Sequence, residues 1–411
     1  MTATIPLLLL LALQGQADEP APLLPEPTGP FLVGTRILTL VDEAREEVLT
    51  AEAGDKRELV VQLWYPSEKR GKERPAGWRT HYVPFFATMR PLLERQYGRP
   101  QAEALGRLEV PAGTDAPLVR SPRKLPVILF SHGQRTARFY YTSTLLELAS
   151  HGYVVVSPDH SYDIEGVAFP DGRLVEGLHS AERKAAADAI DASWHEPDAR
   201  VGIWAKDLSF LLDRLTSRGR DKEPFLDGRL DARRVFAVGH CCGGMAALEV
   251  GLEDKRIKAV VAENAWPLPG PVRKRELGKP VLMLDSGHTT TTESLKAQGL
   301  SDAEVAKLAA GYRAEQRKEI ARLAAPGWQV VLSEARHMSF SDQYQLEPFM
   351  LAPRQATLTG PDRDLRRALD HLLAFLAQEC TGKHQDLLDP VDDRDGVEVW
   401  TSDEGGRKRR R

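Results

Sequence analysis

The sequence predicts an α/β fold: a mostly parallel central sheet of about eight strands flanked by helices, with a small insertion that could serve as a lid. Short apolar runs rich in Val, Ile and Phe alternate with longer amphipathic stretches through the middle of the chain. These runs are nearly continuous in hydrophobicity, the pattern of strands covered on both faces. A hydrophobic content of 42% over 411 residues is ample for the core of one large domain with insertions.

The N-terminus reads as a targeting segment over residues 1–17. The apolar run Leu7 to Leu13 is too short to span a bilayer, and Gly15-Gln16-Ala17 places small residues where a signal peptidase cuts. Export to a periplasm or to the medium is the expectation, although no Lys or Arg precedes the run. No Cys follows it, so no lipoprotein anchor is expected. Residues 18–30 are Pro-rich and aperiodic, and read as a linker.

Residues 31–380 form the main domain. Arg36 to Val41 and Glu58 to Trp64 are strands, expected to make an antiparallel edge, and a helix is expected near Met89 to Tyr97. Leu125 to Phe130 and Tyr153 to Ser157 are strands on either side of a helix over Thr142 to Ser150. The insertion near 161–200 contains the turn signal Phe169-Pro170-Asp171-Gly172. Helices are expected over Val201 to Leu215, Gly243 to Val250, Asp302 to Leu323 and Arg363 to Gln378. Strands are expected over Val235 to Val238, Ile257 to Ala262, Val281 to Leu284 and Val330 to Leu332. Residues 381–411 are acidic and Gly-dotted, and read as a flexible tail ending in the basic run Arg407 to Arg411.

A net charge of −4 gives nucleic acid no electrostatic reason to bind. Cys241 and Cys242 are adjacent and Cys380 is distant, so the three cysteines make no disulfide framework. Their value lies in chemistry or in burial. No histidines have metal-ligand spacing, so neither a metal nor another cofactor is expected.

The chemistry centres on Val238-Gly239-His240-Cys241-Cys242-Gly243-Gly244, where a strand hands over to a helix. Glycines around a nucleophile permit a turn so sharp that larger side chains would collide with the strand and helix. Such an elbow lifts Cys241 above the sheet and sets the Cys242 amide at a helix N-terminus as an oxyanion donor. A second donor is expected from Leu129-Phe130-Ser131-His132-Gly133-Gln134, at the Gln134 amide, with His132 bracing the loop. The base must come late in the chain, and His337 follows the last predicted strand across a short loop.

These residues resemble the platelet-activating factor acetylhydrolase family, of the plasma and type II kind, within the α/β-hydrolase superfamily. The resemblance runs over about residues 27–345. It rests on Pro27 to Thr35 with Leu40-Val41-Asp42, and on Arg57 to Pro66. It continues through Phe130-Ser131-His132-Gly133, Leu148 to Tyr153, the elbow, and His337 with Phe340-Ser341-Asp342. It implies an α/β-hydrolase fold, carboxylic-ester hydrolysis without a cofactor, a small-molecule ester or lipid substrate, and transient contact with a membrane surface.

Two catalytic positions depart from the family. Its serine falls on Cys241, and its triad acid falls on Asn264 in Glu263-Asn264-Ala265-Trp266. Cys–His–Asn is a working set on unrelated folds. A thiol near a helix N-terminus and a His ionises before attack, so the third residue need only orient the ring, which Asn264 could do through its side-chain carbonyl. Asp285, at the end of the next strand, is an alternative third member. Glu263 is disfavoured because neighbouring side chains on a strand point to opposite faces. Cys242 is read as a small amide donor, with a vicinal disulfide to Cys241 as the alternative. Cys380 is read as packing, and Trp266 and Phe340 as core filling or acyl-pocket lining.

A thiolate leaves a tetrahedral intermediate more readily than an alkoxide, so short-acyl or activated esters are the expected substrates. Two alternatives stay open: a lactone hydrolase resembling dienelactone hydrolase, which also uses a Cys elbow, and a catalytically silent hydrolase-like binding protein.

Overall fold

The computed structural model describes residues 23–68, 78–178, 197–216, 224–226, 228–288, 295–351 and 362–402. The targeting segment, the basic terminal run and residues 179–196 of the insertion lie outside them. Among the described residues the main sheet has ten strands: β1 (Leu32–Glu46), β2 (Lys56–Ser67), β3 (Ala112–Thr114), β4 (Leu125–Ser131), β5 (Val154–Asp159), β6 (Leu230–His240), β7 (Ile257–Glu263), β8 (Val281–Ser286), β9 (Gly327–Leu332) and β10 (Val397–Thr401). Their order across the sheet is β10-β9-β8-β7-β6-β4-β5-β2-β1-β3. The six central strands, β9 through β5, run parallel. β2 is antiparallel to both β5 and β1, as expected for the first two strands, and β10 closes the other edge antiparallel to β9.

Three expectations change. The sheet has ten strands rather than about eight, because the three-residue β3 and the C-terminal β10 give too little alternation to be read locally. Residues 397–401 are not tail: Val397 and Val399 are buried, and the strand pairs from Trp328↔Thr401 to Leu332↔Val397. The linker is also docked from Leu23 onward. Leu24 is buried and its N–H donates to the Glu109 carbonyl, while the Thr28 N–H donates to Glu147. The described part of the insertion forms a hairpin, Gly166–Ala168 with Leu174–Glu176, around the predicted turn.

Helices cover both faces. On one face α1 (Phe86–Tyr97), α2 (Arg99–Arg107), α3 (Thr142–Ser150) and α7 (Arg363–Thr381) pack on Ile128, Phe130, Phe236, Val238, Val261 and Leu284. On the other α4 (Pro197–Thr216), α5 (Cys242–Glu253) and α6 (Asp302–Leu323) pack on Val127, Leu129, Ala237, Val260 and Met283. Consecutive strand residues feed opposite cores, so each run had to be apolar throughout. Each such Leu, Val or Phe contributes about 1.5–3 kcal/mol by burial.

A polar strut crosses the second face beneath the site. Asp207 of α4 accepts from Arg57 Nη2 of β2 at 2.6 Å and from His160 Nδ1 at 2.8 Å, and Arg57 Nη1 also donates to Glu47 at 2.9 Å. Burial opposes the Arg57 charge, but Asp207 and Glu47 more than reverse this and raise its pKa. Burial likewise opposes the Asp207 charge, and Arg57 with His160 holds that carboxyl below the usual range.

Asp207→Asn should therefore cost about 3–5 kcal/mol in urea unfolding at pH 7, since it leaves a buried cation undercompensated. A carboxyl depressed in the fold stabilises above its unfolded pKa of about 3.9, and that stabilisation fades as pH falls. The gap between wild type and variant should thus be full at pH 7 and narrow in acid. An equal gap at pH 7 and pH 3 would exclude Asp207 ionisation as its source.

Candidate active site

The elbow forms where β6 meets α5. Gly239 and Gly243 are required by close approach: a Cβ on Gly239 would overlap the Gly243 carbonyl, and one on Gly243 would overlap the carbonyls of Ser131 and His132. The turn leaves Cys241 at φ 54°, ψ −124°, a conformation costly for any residue with a side chain. The Cys241 N–H donates to the Glu263 carbonyl at 2.8 Å, tying the turn to β7. Cys241, Cys242 and Cys380 are all free. The Cys242 thiol and the His337 ring both neighbour the Cys241 sulfur. Against the opposing effect of burial, these two contacts push the Cys241 thiol well below the usual range, while the same contact and burial push Cys242 up.

His337 opens the turn after β9 and meets Asn264 at the end of β7, with Asn264 Nδ2 2.7 Å from His337 Nδ1. Asn264 sits at φ 50°, which Asn tolerates better than most residues. Its Oδ1 accepts from the Ser286 N–H at 3.3 Å and the Ser286 hydroxyl at 3.1 Å. A backbone N–H can only donate, so the oxygen of the amide faces Ser286 and the NH₂ faces the ring. This corrects the expectation that the Asn264 carbonyl orients His337. The ring presents an unprotonated Nδ1 to Asn264 and carries its proton on Nε2.

The other predicted residues fall as follows. Among the described residues, the backbone N–H groups of Gln134 and Cys242 have no hydrogen-bond acceptor, and the Gln134 side chain lies 4.0 Å from the Cys242 sulfur. His132 braces its loop: Nδ1 bonds the Gly133 carbonyl at 2.8 Å and Nε2 accepts from the His160 N–H at 3.2 Å. Asp285 is not brought to the ring. Its carboxylate accepts from Gln329 Nε2 at 2.8 Å and Trp266 Nε1 at 3.3 Å, and burial pushes it up to about 6. Glu263 is buried, with its carboxyl pushed up to about 8. Phe340 is buried in the core of the first face and Cys380 packs against that core, while Trp266 is partly buried against the core of the second face.

Sequence reading missed Ser286, whose place beside Asn264 depends on the register of β8, and it missed a buried look-alike. Ser131 Oγ, His160 Nε2 and Asp207 Oδ2 stand in triad order, at 2.9 Å and 2.8 Å. All three residues are at most 2% exposed, so this set is closed to a substrate and holds the base of the Gln134 loop. Among the described residues the group whose ligand atoms could hold a metal is His384, Asp386 and Asp389, which shares no residue with the elbow.

Residues 17–165 match the family described as platelet-activating factor acetylhydrolase, isoform II, and residues 128–390 match the alpha/beta hydrolase family. The chain is 26% identical to the platelet-activating factor acetylhydrolase of Canis lupus familiaris over 51% of its own length and 50% of the relative's. It is 28% identical to a probable 1-alkyl-2-acetylglycerophosphocholine esterase of Arthroderma benhamiae over 58% of this chain and 57% of that one. The chain thus spans about half the length of the curated relatives it matches. Among solved structures, a ferulic acid esterase from Streptomyces cinnamoneus superposes with a TM-score of 0.67 at 28% identity. That alignment covers 92% of this chain and 99% of that one. The ten-stranded sheet, the strained turn between β6 and α5 and the match over residues 128–390 place this chain in the alpha/beta hydrolase family.

Proposed function

We propose that the chain is a carboxylic-ester hydrolase for short-acyl or activated esters, with aryl, enol and thiol esters turned over ahead of alkyl esters such as phospholipid acetyl esters. The observation that carries the reading is the Cys241 sulfur, raised on a strained elbow at the N-terminus of α5 beside His337, whose Nδ1 lies 2.7 Å from Asn264 Nδ2. The acetyl-ester relatives and the ferulic acid esterase neighbour support the reaction class. Transient contact with a membrane surface and export by residues 1–17 complete the reading.

The Cys241 thiolate forms a C–S bond to the acyl carbon, and the carbonyl oxygen becomes an oxyanion held by the Gln134 and Cys242 amides. The C–O bond then breaks and the thioacyl enzyme remains. His337 carries its proton on Nε2 and has no acceptor at Nδ1, so it is a poor acid toward an alkoxide. A phenolate, enolate or thiolate needs no proton to leave. For deacylation the ring proton moves to Nδ1, met by the Asn264 oxygen after a half-turn of its amide. Nε2 then takes a proton from water as the new C–O bond forms, and the C–S bond breaks to restore the thiolate.

This scheme predicts a burst of p-nitrophenol from p-nitrophenyl acetate, with an acetyl group on the peptide carrying Cys241 by mass spectrometry. Ethyl acetate should be slower in kcat/KM by about 10²–10⁴-fold, the usual worth of a general acid. Equal rates for the two acetates would overturn the leaving-group argument. A lactone turned over faster than both would move the reading to lactone hydrolysis.

A further inference from the structure

We propose that Tyr141 and His240 form a one-directional hydrogen-bond relay that holds the oxyanion loop, the elbow and the His337 turn in mutual register. Its catalytic consequence rests on the hydrolase reading above; its structural content does not. The relay is anchored at both ends by groups with one possible role. The Gly133 N–H can only donate, and it lies 2.9 Å from the Tyr141 hydroxyl. The His337 carbonyl can only accept, and it lies 2.8 Å from His240 Nε2. The proton of His240 is therefore on Nε2.

Burial pushes the His240 imidazole down to about 4, so the ring is neutral and its Nδ1 is an acceptor. The Tyr141 hydroxyl, 2.9 Å away, donates to it. Gly133 N–H to Tyr141, Tyr141 to His240, and His240 to the His337 carbonyl is then a complete assignment with every proton placed once. Thr136 donates to the Gly133 carbonyl at 2.7 Å and lies 3.3 Å from the Tyr141 oxygen, closing the loop side. Tyr141 and His240 are both at most 1% exposed, so no water replaces a lost bond cheaply.

What the relay joins gives it meaning. Gly133 precedes Gln134, His240 precedes Cys241, and the far end is the backbone of His337 itself. Three segments distant in sequence are spaced by two rigid rings, the His240 and His337 rings standing 4.6 Å apart and the Phe130 ring 5.2 Å from Tyr141. Neither Tyr141 nor His240 is placed to touch reacting atoms. They are positioning residues, and acyl transfer is sensitive to errors of this kind at the ångström scale.

The test is amide hydrogen exchange on the full chain, with p-nitrophenyl acetate kinetics beside it. His240→Leu should speed exchange at least about tenfold in both the Gly133–Gln134 and the His337–Phe340 segments. His240→Gln, whose amide oxygen can accept from Tyr141 and whose NH₂ can reach the His337 carbonyl, should return both to within about threefold of wild type. Tyr141→Phe, which removes one oxygen and fits the same space, should speed exchange at Gly133–Gln134 and lower kcat about 10–10²-fold with KM within about twofold. Wild-type exchange in Tyr141→Phe, or a His240→Gln no better than His240→Leu, overturns the relay. Absent turnover in wild type alongside coupled exchange would instead defeat the hydrolase reading and leave the relay standing.

Discussion

Cys241→Ala is expected to lower kcat for p-nitrophenyl acetate by at least about 10⁴-fold, to the rate left by oriented binding and the oxyanion donors alone. The expectation rests on a single sulfur carrying the covalent step. It occupies the strained position, it has Cys242 and His337 beside it, and the N-terminus of α5 lies under it. No neighbour can replace it. The Cys242 thiol is pushed up, first by its neighbour Cys241, and Ser131 is buried beneath the loop. A buried-site artefact would also lower stability, so thermal unfolding of the variant belongs beside the kinetics. Turnover that survives Cys241→Ala would mean that hydrolysis occurs elsewhere. The elbow would then belong to the silent, hydrolase-like binding protein that the paired loss of Ser and Asp also suggests.

The second large effect concerns Asn264. Cys241→Ser alone should be nearly inactive on alkyl acetates, while Cys241→Ser with Asn264→Asp should exceed it by about 10⁴-fold in kcat. A hydroxyl does not ionise beforehand, so a Ser nucleophile must pass its proton to His337 Nε2. That requires, in acylation as well as in deacylation, a ring protonated on Nδ1 and an acceptor for that N–H, which Asn264 offers only by turning its oxygen away from Ser286. Two donors, Ser286 and a protonated Nδ1, would then converge on an amide that has one oxygen. A carboxylate has two, and can accept from both without turning. The magnitude is that seen in serine hydrolases when the same Asp-to-Asn change enforces the wrong tautomer. Steady-state kinetics on ethyl acetate with the two single variants and the double variant measure it as a cycle. Additive effects would show that Asn264 does not act through the nucleophile's proton, and the third position would have to be sought elsewhere.

Much of this architecture was legible locally. The central strands are read from runs such as Val127-Ile128-Leu129-Phe130, because a strand buried on both faces leaves an uninterrupted apolar signature. The elbow was equally legible, since the glycines that permit it lie within a few residues of Cys241. What escaped reading depends on contacts between distant segments. Val397 to Thr401 is a strand only because β9 offers an open edge to it, and the acidic residues before it conceal the alternation. Ser286 reaches Asn264 across 22 positions, and Tyr141 reaches His240 across 99, through the register of the parallel sheet. The orientation of the Asn264 amide follows from a backbone N–H on a neighbouring strand, which no side-chain pattern announces.

The conformation of Cys241 also restricts the routes by which this site could have changed its nucleophile. At φ 54° and ψ −124° the position tolerates a short side chain without branching at Cβ. Ser, Cys and Asp meet that condition, whereas the second substituent of Thr would crowd a backbone already under strain. Oxygen and sulfur nucleophiles can therefore be exchanged here in a single step with the turn left intact, and a secondary alcohol cannot. Over long divergence this backbone acts as a filter that leaves the reacting element open to change while fixing the size and shape of the side chain that bears it.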